Sequence, residues 1–396
     1  MTDGTLQIYL VPYTQAPVEK LIKERPRVLL LIPHLGGGGA EKVFAHLACG
    51  LSQEKYELHL GLVTGNAETS DTIPSGVTVH LLGASRVRYS AITLLLLVRR
   101  LRPSVILTGM FHLNFLVLLL RPFFPRPVRI LVRQNGTVGA ELALSKFPIY
   151  TRLLYGGLYP LAYRVICQSQ GMAHDLVREI HLSSRKTIVL PNPIEVDRIR
   201  ASVQGFSSQW TGPGPHLLAV GRFSREKGFD LLLQALVTVR KQFVNADLII
   251  VGSGREELAL KAQSVQLGLE SAVRFAGYVS DPAMYFPGAS LFVLSSRNEG
   301  LPNALLEASA ARLPIVSLPA SDGIRDLLRG QPGTWLASEV SAEALGMALL
   351  DSLMSLETSQ RFQHAFIDDF RFDRAIRAYE GLIDSTIVCD AIREQL

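Results

Sequence analysis

Short apolar runs alternate with helical periodicity along this chain, and the scheme runs twice. In the first half, residues 27–32 (RVLLLI) are followed by a glycine loop and a helical pattern over 40–51. Further strand-like runs lie at 57–63, 77–82, 104–108, 128–132 and 164–168. The second half repeats the scheme, with strands expected at 216–220, 246–251, 273–276, 291–294 and 314–316 and helices at 229–242, 255–267, 304–311 and 342–353. A brief apolar run bounded by turn residues reads as a buried strand. Buried strands separated by helices pair in parallel, because a parallel connection needs a crossover long enough to hold a helix. The expected fold class is therefore α/β, with two doubly wound parallel sheets. Each is a Rossmann-like unit that binds ligands at the carboxyl ends of its strands.

At 396 residues the chain is too long for one ordinary core, and with 48% apolar residues each half can bury its own. The boundary falls between Leu190-Pro191-Asn192-Pro193 and Trp210-Thr211-Gly212-Pro213-Gly214-Pro215, where prolines and glycines punctuate the sequence. Residues 1–195 form the first domain in this reading and 196–371 the second. Residues 372–396 form a terminal segment with a helix over 372–386.

Polar chemistry concentrates at the end of one strand. The run 289–294 leads into Arg297-Asn298-Glu299-Gly300-Leu301-Pro302-Asn303-Ala304-Leu305-Leu306-Glu307. Gly300 breaks the strand, and Pro302 suits the first position of a helix. Glu299 then sits on a loop at the strand's carboxyl end, and Glu307 two turns into the helix. Asn303 shares a helix face with Glu307. Backbone N–H groups near Gly300 and Leu301 would face an anion lying in front of that helix. Two carboxylates around a phosphate cradle suit a ligand with hydroxyls on either side of a phosphate, and a nucleotide sugar is such a ligand.

Other loops add to this. Gly36, Gly37, Gly38 and Gly39 join the first strand to the first helix and let backbone approach a ligand closely. The dinucleotide fingerprint fails on spacing: its third glycine position holds Lys42 counted from Gly37, and Glu41 counted from Gly36. Arg222 and Lys227 lie on the loop after strand 216–220. Taken alone they read as solvated cations. Beside Gly221, Gly228 and the later glutamates they read as anion ligands, with Arg222 forked onto two oxygens and Lys227 a movable point charge. Gly252 and Gly254 open the next helix; they either support a nucleotide or make a tight turn. His112 and Asn135 follow strands 104–108 and 128–132. Asn135 is a candidate to line a ligand cleft, and His112 either lines the site or packs inside.

The E-x7-E pair Glu299 and Glu307, within EGLPNALLEA, resembles the donor-site motif of retaining glycosyltransferases of family four, which have the GT-B fold. The similarity includes Gly36-Gly37-Gly38-Gly39-Ala40-Glu41, Gly221-Arg222-Phe223-Ser224-Arg225-Glu226-Lys227-Gly228 and Val251-Gly252-Ser253-Gly254, in family order, over about residues 27–379. It implies that Glu307 hydrogen-bonds ribose hydroxyls and that Glu299 contacts the donor sugar. Gly300 and Leu301 would offer backbone donors, and Arg222 and Lys227 would bind the diphosphate. The glycine loop would touch the donor from the other domain, a histidine near position 112 would lie by the reacting sugar, and the terminal helix would cross back to the first domain. In Ser321-Asp322-Gly323-Ile324-Arg325-Asp326 the chain departs from the family, which often has an acidic residue where Arg325 stands; fine donor selectivity stays open there.

The implied activity is transfer of a hexose or N-acetylhexosamine from a nucleotide sugar, expected to be UDP-linked, to a glycan or polyprenyl-linked glycan, with retention. The leaving phosphate itself would deprotonate the acceptor hydroxyl on the same face. No cofactor and no metal are expected, because Asp368-Asp369 lacks the D-x-D form that metal-dependent sugar transferases of the other common fold need. Two alternatives remain: a sugar-nucleotide epimerase of the same double fold, for which no acid–base pair is placed, and a non-catalytic homologue that binds another transferase.

Cys49, Cys167 and Cys389 lie far apart without metal-ligand spacing; they read as core residues of a reducing compartment. The start, MTDGTLQIYLVPYTQ, lacks the order of a signal peptide, and no stretch reaches the roughly eighteen charge-free apolar residues of a membrane span. A cytoplasmic location is expected. Net charge is +5, unevenly spread: residues 72–140 hold no acid and nine arginines, at 86, 88, 99, 100, 102, 121, 126, 129 and 133. Between these lie the apolar runs 91–98 and 113–120 and the pair Phe123-Phe124. The segment reads as a surface lying on anionic lipid at the inner membrane face. The alternative is a buried helix and strand with arginines at their exposed ends. Nucleic acid is not expected, for want of a recognisable binding module. The sequence leaves the oligomeric state open.

Overall fold

A computed structural model describes residues 25–65, 73–357 and 360–395. Residues 1–24, on which the signal-peptide expectation rests, lie outside the described residues, as do Thr72, Leu396 and the side chain of Cys389.

The first sheet holds seven strands: β1 (Arg27–Ile32), β2 (Glu57–Leu62), β3 (Thr78–Leu81), β4 (Val105–Gly109), β5 (Arg129–Arg133), β6 (Arg164–Cys167) and β7 (Thr187–Val189). They lie in the order β3-β2-β1-β4-β5-β6-β7, all parallel. The second holds β8 (His216–Val220), β9 (Asp247–Val251), β10 (Val273–Gly277), β11 (Leu291–Leu294), β12 (Ile315–Ser317) and β13 (Thr334–Leu336), in the parallel order β10-β9-β8-β11-β12-β13. The α/β fold of two doubly wound sheets is borne out.

Both faces of each sheet are buried, which is why the strands read as unbroken apolar runs. In β1, Leu29 and Leu31 enter one core, while Val28, Leu30 and Ile32 enter the core on the opposite face. Helices Ala91–Leu101, Phe111–Leu120 and Pro148–Leu158 cover the first face through Leu94, Val98, Leu113, Val117 and Tyr155. Helix Gly39–Gly50 covers the second face with Val43, Phe44 and Leu47. The terminal helix Phe372–Gln395 lies in that same core through Ile376, Tyr379, Leu382 and Ile383, so it belongs spatially to the first sheet. Where the chain leaves the first sheet, the Ile194 N–H donates to Phe370 O at 2.8 Å and the Phe372 N–H donates to Ile194 O at 2.9 Å. Outgoing and returning segments are thus paired.

The structure corrects several readings. Strands β7 and β13 went unread; each is a three-residue, half-buried edge strand with little apolar signal. The run 113–120 belongs to a helix, not a strand: packed between neighbouring helices and the sheet, it is apolar nearly all round and has no periodicity to read. Glu307 is the fifth residue of helix Asn303–Ala310, just over one turn in, not two. Arg133 is 1% exposed and is no surface cation. Cys49 is exposed, not core.

Candidate active site

Strand order reverses between β1 and β4 in the first sheet and between β8 and β11 in the second. The segments leaving these four strands, each a loop running into the following helix, carry residues 36–39, His112, residues 222–228 and residues 297–302. In open α/β sheets the crevice outside the carboxyl ends at such a reversal is where ligands bind. Here the two crevices face each other. Gly37 lies against Tyr278, Gly38 against Arg222 and Gly39 against Asn303.

The second-domain wall is two loops stitched together. The Ser295 hydroxyl donates to Lys227 O at 2.8 Å, and the Arg297 N–H donates to Glu226 O at 2.7 Å. The Arg297 guanidinium grips Asp230 with two bonds of 2.7 Å and holds its carboxyl below the usual carboxylate range, against the opposing effect of burial. Gly228 has φ +62°, and a Cβ there would stand 2.0 Å from Ser295 O, so only glycine lets the loops meet. Within this frame Lys227 Nζ donates to Glu299 Oε1, which also accepts from the Ser296 hydroxyl at 2.7 Å. The Arg222 side chain is 60% exposed and free to meet a ligand. Gly252 and Gly254 lie against the backbone carbonyls of Gly221 and Phe223; their place is to let the loop after β9 support the cationic loop.

The first domain reaches across to the same helix. Lys42 Nζ donates to Glu307 Oε1 at 2.5 Å, and Glu307 is 5% exposed. The Asn303 amide donates to Gly39 O at 3.0 Å and accepts from Asn192 Nδ2 at 2.7 Å. Asn192 also donates to Leu301 O at 3.2 Å and accepts from Arg133 Nη2 at 2.6 Å. Arg133 further binds Tyr379 of the terminal helix at 3.2 Å and the Asn135 side-chain oxygen. The Leu301 N–H, read from sequence as a donor to an anion, is occupied: it donates to Gln168 Oε1 at 3.1 Å. Gly300 sits against the Asn135 carbonyl.

Two polar groups in this junction are buried without a hydrogen-bond partner among the described residues. One is Asn135 Nδ2; the other is Glu41 Oε1, which lies 3.6 Å from the His34 ring and 3.9 Å from Arg222. Unsatisfied buried groups are costly, and at a cleft they mark where a ligand completes the set. His112 sits in the first turn of helix Phe111–Leu120 with its ring against Phe111, 3.6 Å between centroids. His112 is exposed, yet surrounding protein partly desolvates its ring and lowers its pKa. No hydrogen bond ties it to Glu299 or Glu307 among the described residues, so it stands apart from the hydrogen-bonded cluster.

Residues 37–198 match the family profile described as Glycosyltransferase Family 4, and residues 214–355 the one described as Glycosyl transferases group 1. The chain belongs to this glycosyltransferase family. It is 27% identical to the N-acetylgalactosamine-N,N'-diacetylbacillosaminyl-diphospho-undecaprenol 4-alpha-N-acetylgalactosaminyltransferase of Campylobacter jejuni, over 75% of this chain and 82% of that one. It is 26% identical to the lipopolysaccharide core biosynthesis glycosyltransferase LpsE of Rhizobium meliloti, over 89% and 98%. An uncharacterised glycosyltransferase of Haemophilus influenzae is 31% identical, over 42% of this chain and 48% of that protein. In fold, the chain superposes on Anabaena HepE in complex with UDP and glucose with a TM-score of 0.73 at 16% identity, covering 91% of this chain and all of that one. The fold is GT-B, and the family 4 glycosyltransferase is an enzyme of the transferase class.

Sequence reasoning missed the residues through which one domain grips the other, Lys42, Gln168 and Asn192, and gave no role to Glu41 and Arg133 beside them. Gln168 and Asn192 each follow a short first-domain strand at its carboxyl end, and that position was their only signal. Lys42 entered only as a failed glycine.

Proposed function

We propose that this glycosyltransferase moves a hexose or N-acetylhexosamine from a UDP-linked sugar to a hydroxyl of a glycan or lipid-linked glycan, with retention, in assembly of a surface polysaccharide or glycolipid. The observation that carries the donor reading is the convergence of Arg222, Lys227, Glu299 and Glu307 at the crevice of the second sheet, opposite the glycine loop. The UDP and glucose in HepE and the undecaprenyl diphosphate in the name of the Campylobacter relative support this choice of donor and acceptor.

Glu307 holds the ribose hydroxyls in this reading, and Glu299 the sugar hydroxyls. As the bond from the anomeric carbon to the phosphate oxygen breaks, Arg222 and Lys227 offset the charge left on the diphosphate. The acceptor oxygen bonds to that carbon on the same face, and its proton passes to the departing phosphate oxygen. An α-linked donor gives an α-linked product. Asn135 Nδ2 offers the acceptor a hydrogen bond.

The acceptor side works at an anionic membrane surface. No helix among the described residues is long and apolar enough to cross a membrane. Leu144, Phe147, Ile149, Tyr150 and Leu153 are nevertheless 60–78% exposed, and Ile92 and Leu96 stand out from helix Ala91–Leu101 with Arg99 and Arg100. Exposed apolar residues among cations suit docking into the headgroup layer.

Thermal stabilisation by a panel of nucleotides and nucleotide sugars tests the donor reading. Selective stabilisation by UDP and one UDP-sugar, lost in Glu307→Ala, is expected; no stabilisation by any nucleotide would move the assignment to a non-catalytic partner.

A further inference from the structure

The two glutamates assigned to donor hydroxyls share an arrangement. Each holds a lysine ammonium: Glu299 holds Lys227 from its own domain, and Glu307 holds Lys42 from the other. Lys227 is already read as a ligand of the diphosphate. Lys42 lies in the first turn of helix Gly39–Gly50, its N–H bonded to Gly38 O at 3.0 Å, and Gly38 is the residue that meets Arg222. Its side chain is 31% exposed, so it has room to turn, while the Glu307 side chain is 7% exposed and does not.

Charge balance gives the arrangement a purpose. The crevice holds Lys42, Arg222 and Lys227 against Glu41, Glu299 and Glu307. A donor brings neutral hydroxyls for the two hydroxyl-binding glutamates and a doubly charged diphosphate between them. When Glu299 and Glu307 accept from hydroxyls in place of the lysines, two ammonium groups lose their partners as two negative charges arrive. A partly buried cation left unpaired is unfavourable, and an ammonium beside phosphate oxygens makes a charge-assisted hydrogen bond.

We infer that Lys42 is a donor-positioning residue supplied by the first domain: it gives up Glu307 to the ribose and transfers to the diphosphate, so that closure of the first domain depends on a phosphorylated ligand. This rests on the assignment of Glu307 to the ribose. It makes Lys42 the cross-domain counterpart of Lys227 and gives the position where a dinucleotide fingerprint would have its last glycine a cation instead.

Calorimetric titration of UDP and of uridine into the full chain, the Lys42→Met variant and the Glu307→Ala variant tests it. Lys42→Met removes the charge and keeps the aliphatic stem. Its UDP affinity is expected to fall about tenfold, the loss of one charge-assisted bond. Its uridine affinity should hold or improve, because the nucleoside no longer competes with an ammonium for Glu307. Tighter binding of both ligands would reduce Lys42 to a clamp that competes with the ribose, and weaker binding of both would reduce it to a structural residue; either overturns the inference. If Glu307→Ala binds UDP like the wild type, the ribose assignment itself is what fails.

Discussion

Gly300 of the second domain approaches Asn135 of the first so closely that a Cβ on Gly300 would stand 2.5 Å from the Asn135 carbonyl oxygen. Real Cβ atoms do not come that near to backbone, so any side chain at position 300 holds the two walls apart. Closure assembles a cleft whose parts come from both domains. Gly300→Ala should therefore leave each domain folded, with an unchanged far-ultraviolet spectrum, and lower turnover at least about tenfold through loss of closed geometry. Wild-type turnover would mean that the approach of these loops is not part of the working enzyme.

Lys227→Ala strips Glu299 of its partner and, in the proposed mechanism, removes one leaving-group cation. Loss of one transition-state donor costs roughly a hundredfold or more in turnover at well-formed sites. We expect at least about a tenfold drop in kcat, since Arg222 remains. Steady-state kinetics with saturating donor checks this, and near-normal kcat would remove Lys227 from the diphosphate.

How much of this was legible in the sequence follows from which forces act locally. Glu299, Gly300 and Glu307 were readable because glycine and proline punctuate a strand–turn–helix within one stretch of chain, and Arg222 and Lys227 because two glycines bracket them. Gln168 and Asn192 were not, because their partners, Leu301 and Asn303, belong to the other domain and no periodicity encodes such a pairing. Arg133 was misplaced for a related reason. An arginine closing a strand reads as a solvated end, and only the fold shows Asn135, Asn192 and Tyr379 gathered round it. The two sheets were legible nearly strand for strand, except where an edge strand such as Thr187–Val189 buries too little to leave a run of apolar residues.

Glu141, in helix Val138–Leu144 just beyond Asn135, is held with its carboxylate against the Tyr155 hydroxyl and 3.3 Å from Gln134 Nε2. Burial pushes its pKa up to about 7, from an ordinary value of 4.5. The folded chain thus keeps a proton that the unfolded chain gives up. Stability falls as pH rises between those two values and levels off above the folded one. Glu141→Gln removes the titration, so its melting temperature should gain on that of the wild type between about pH 5 and about pH 8. A difference in melting temperature that stays constant over that range would contradict the buried, protonated state.

The exposed row Phe147, Ile149, Tyr150 and Leu153 lies at the start of helix Pro148–Leu158. A helix joining two parallel strands starts at the carboxyl edge of the sheet, where the proposed acceptor would enter. Replacing all four by serine should abolish flotation with vesicles containing anionic lipid and leave the melting temperature unchanged, because exposed side chains contribute little to the folded core. A variant that floats like the wild type would confine any membrane contact to other surfaces.

The most direct test of the central claim is the anomeric configuration of the product. Proton NMR on the glycoside formed from an α-linked UDP-sugar and a hydroxyl acceptor reads it from the coupling at the anomeric proton. The account predicts an α-linked product with release of UDP. A β-linked product would contradict same-face transfer between Arg222, Lys227 and Glu299.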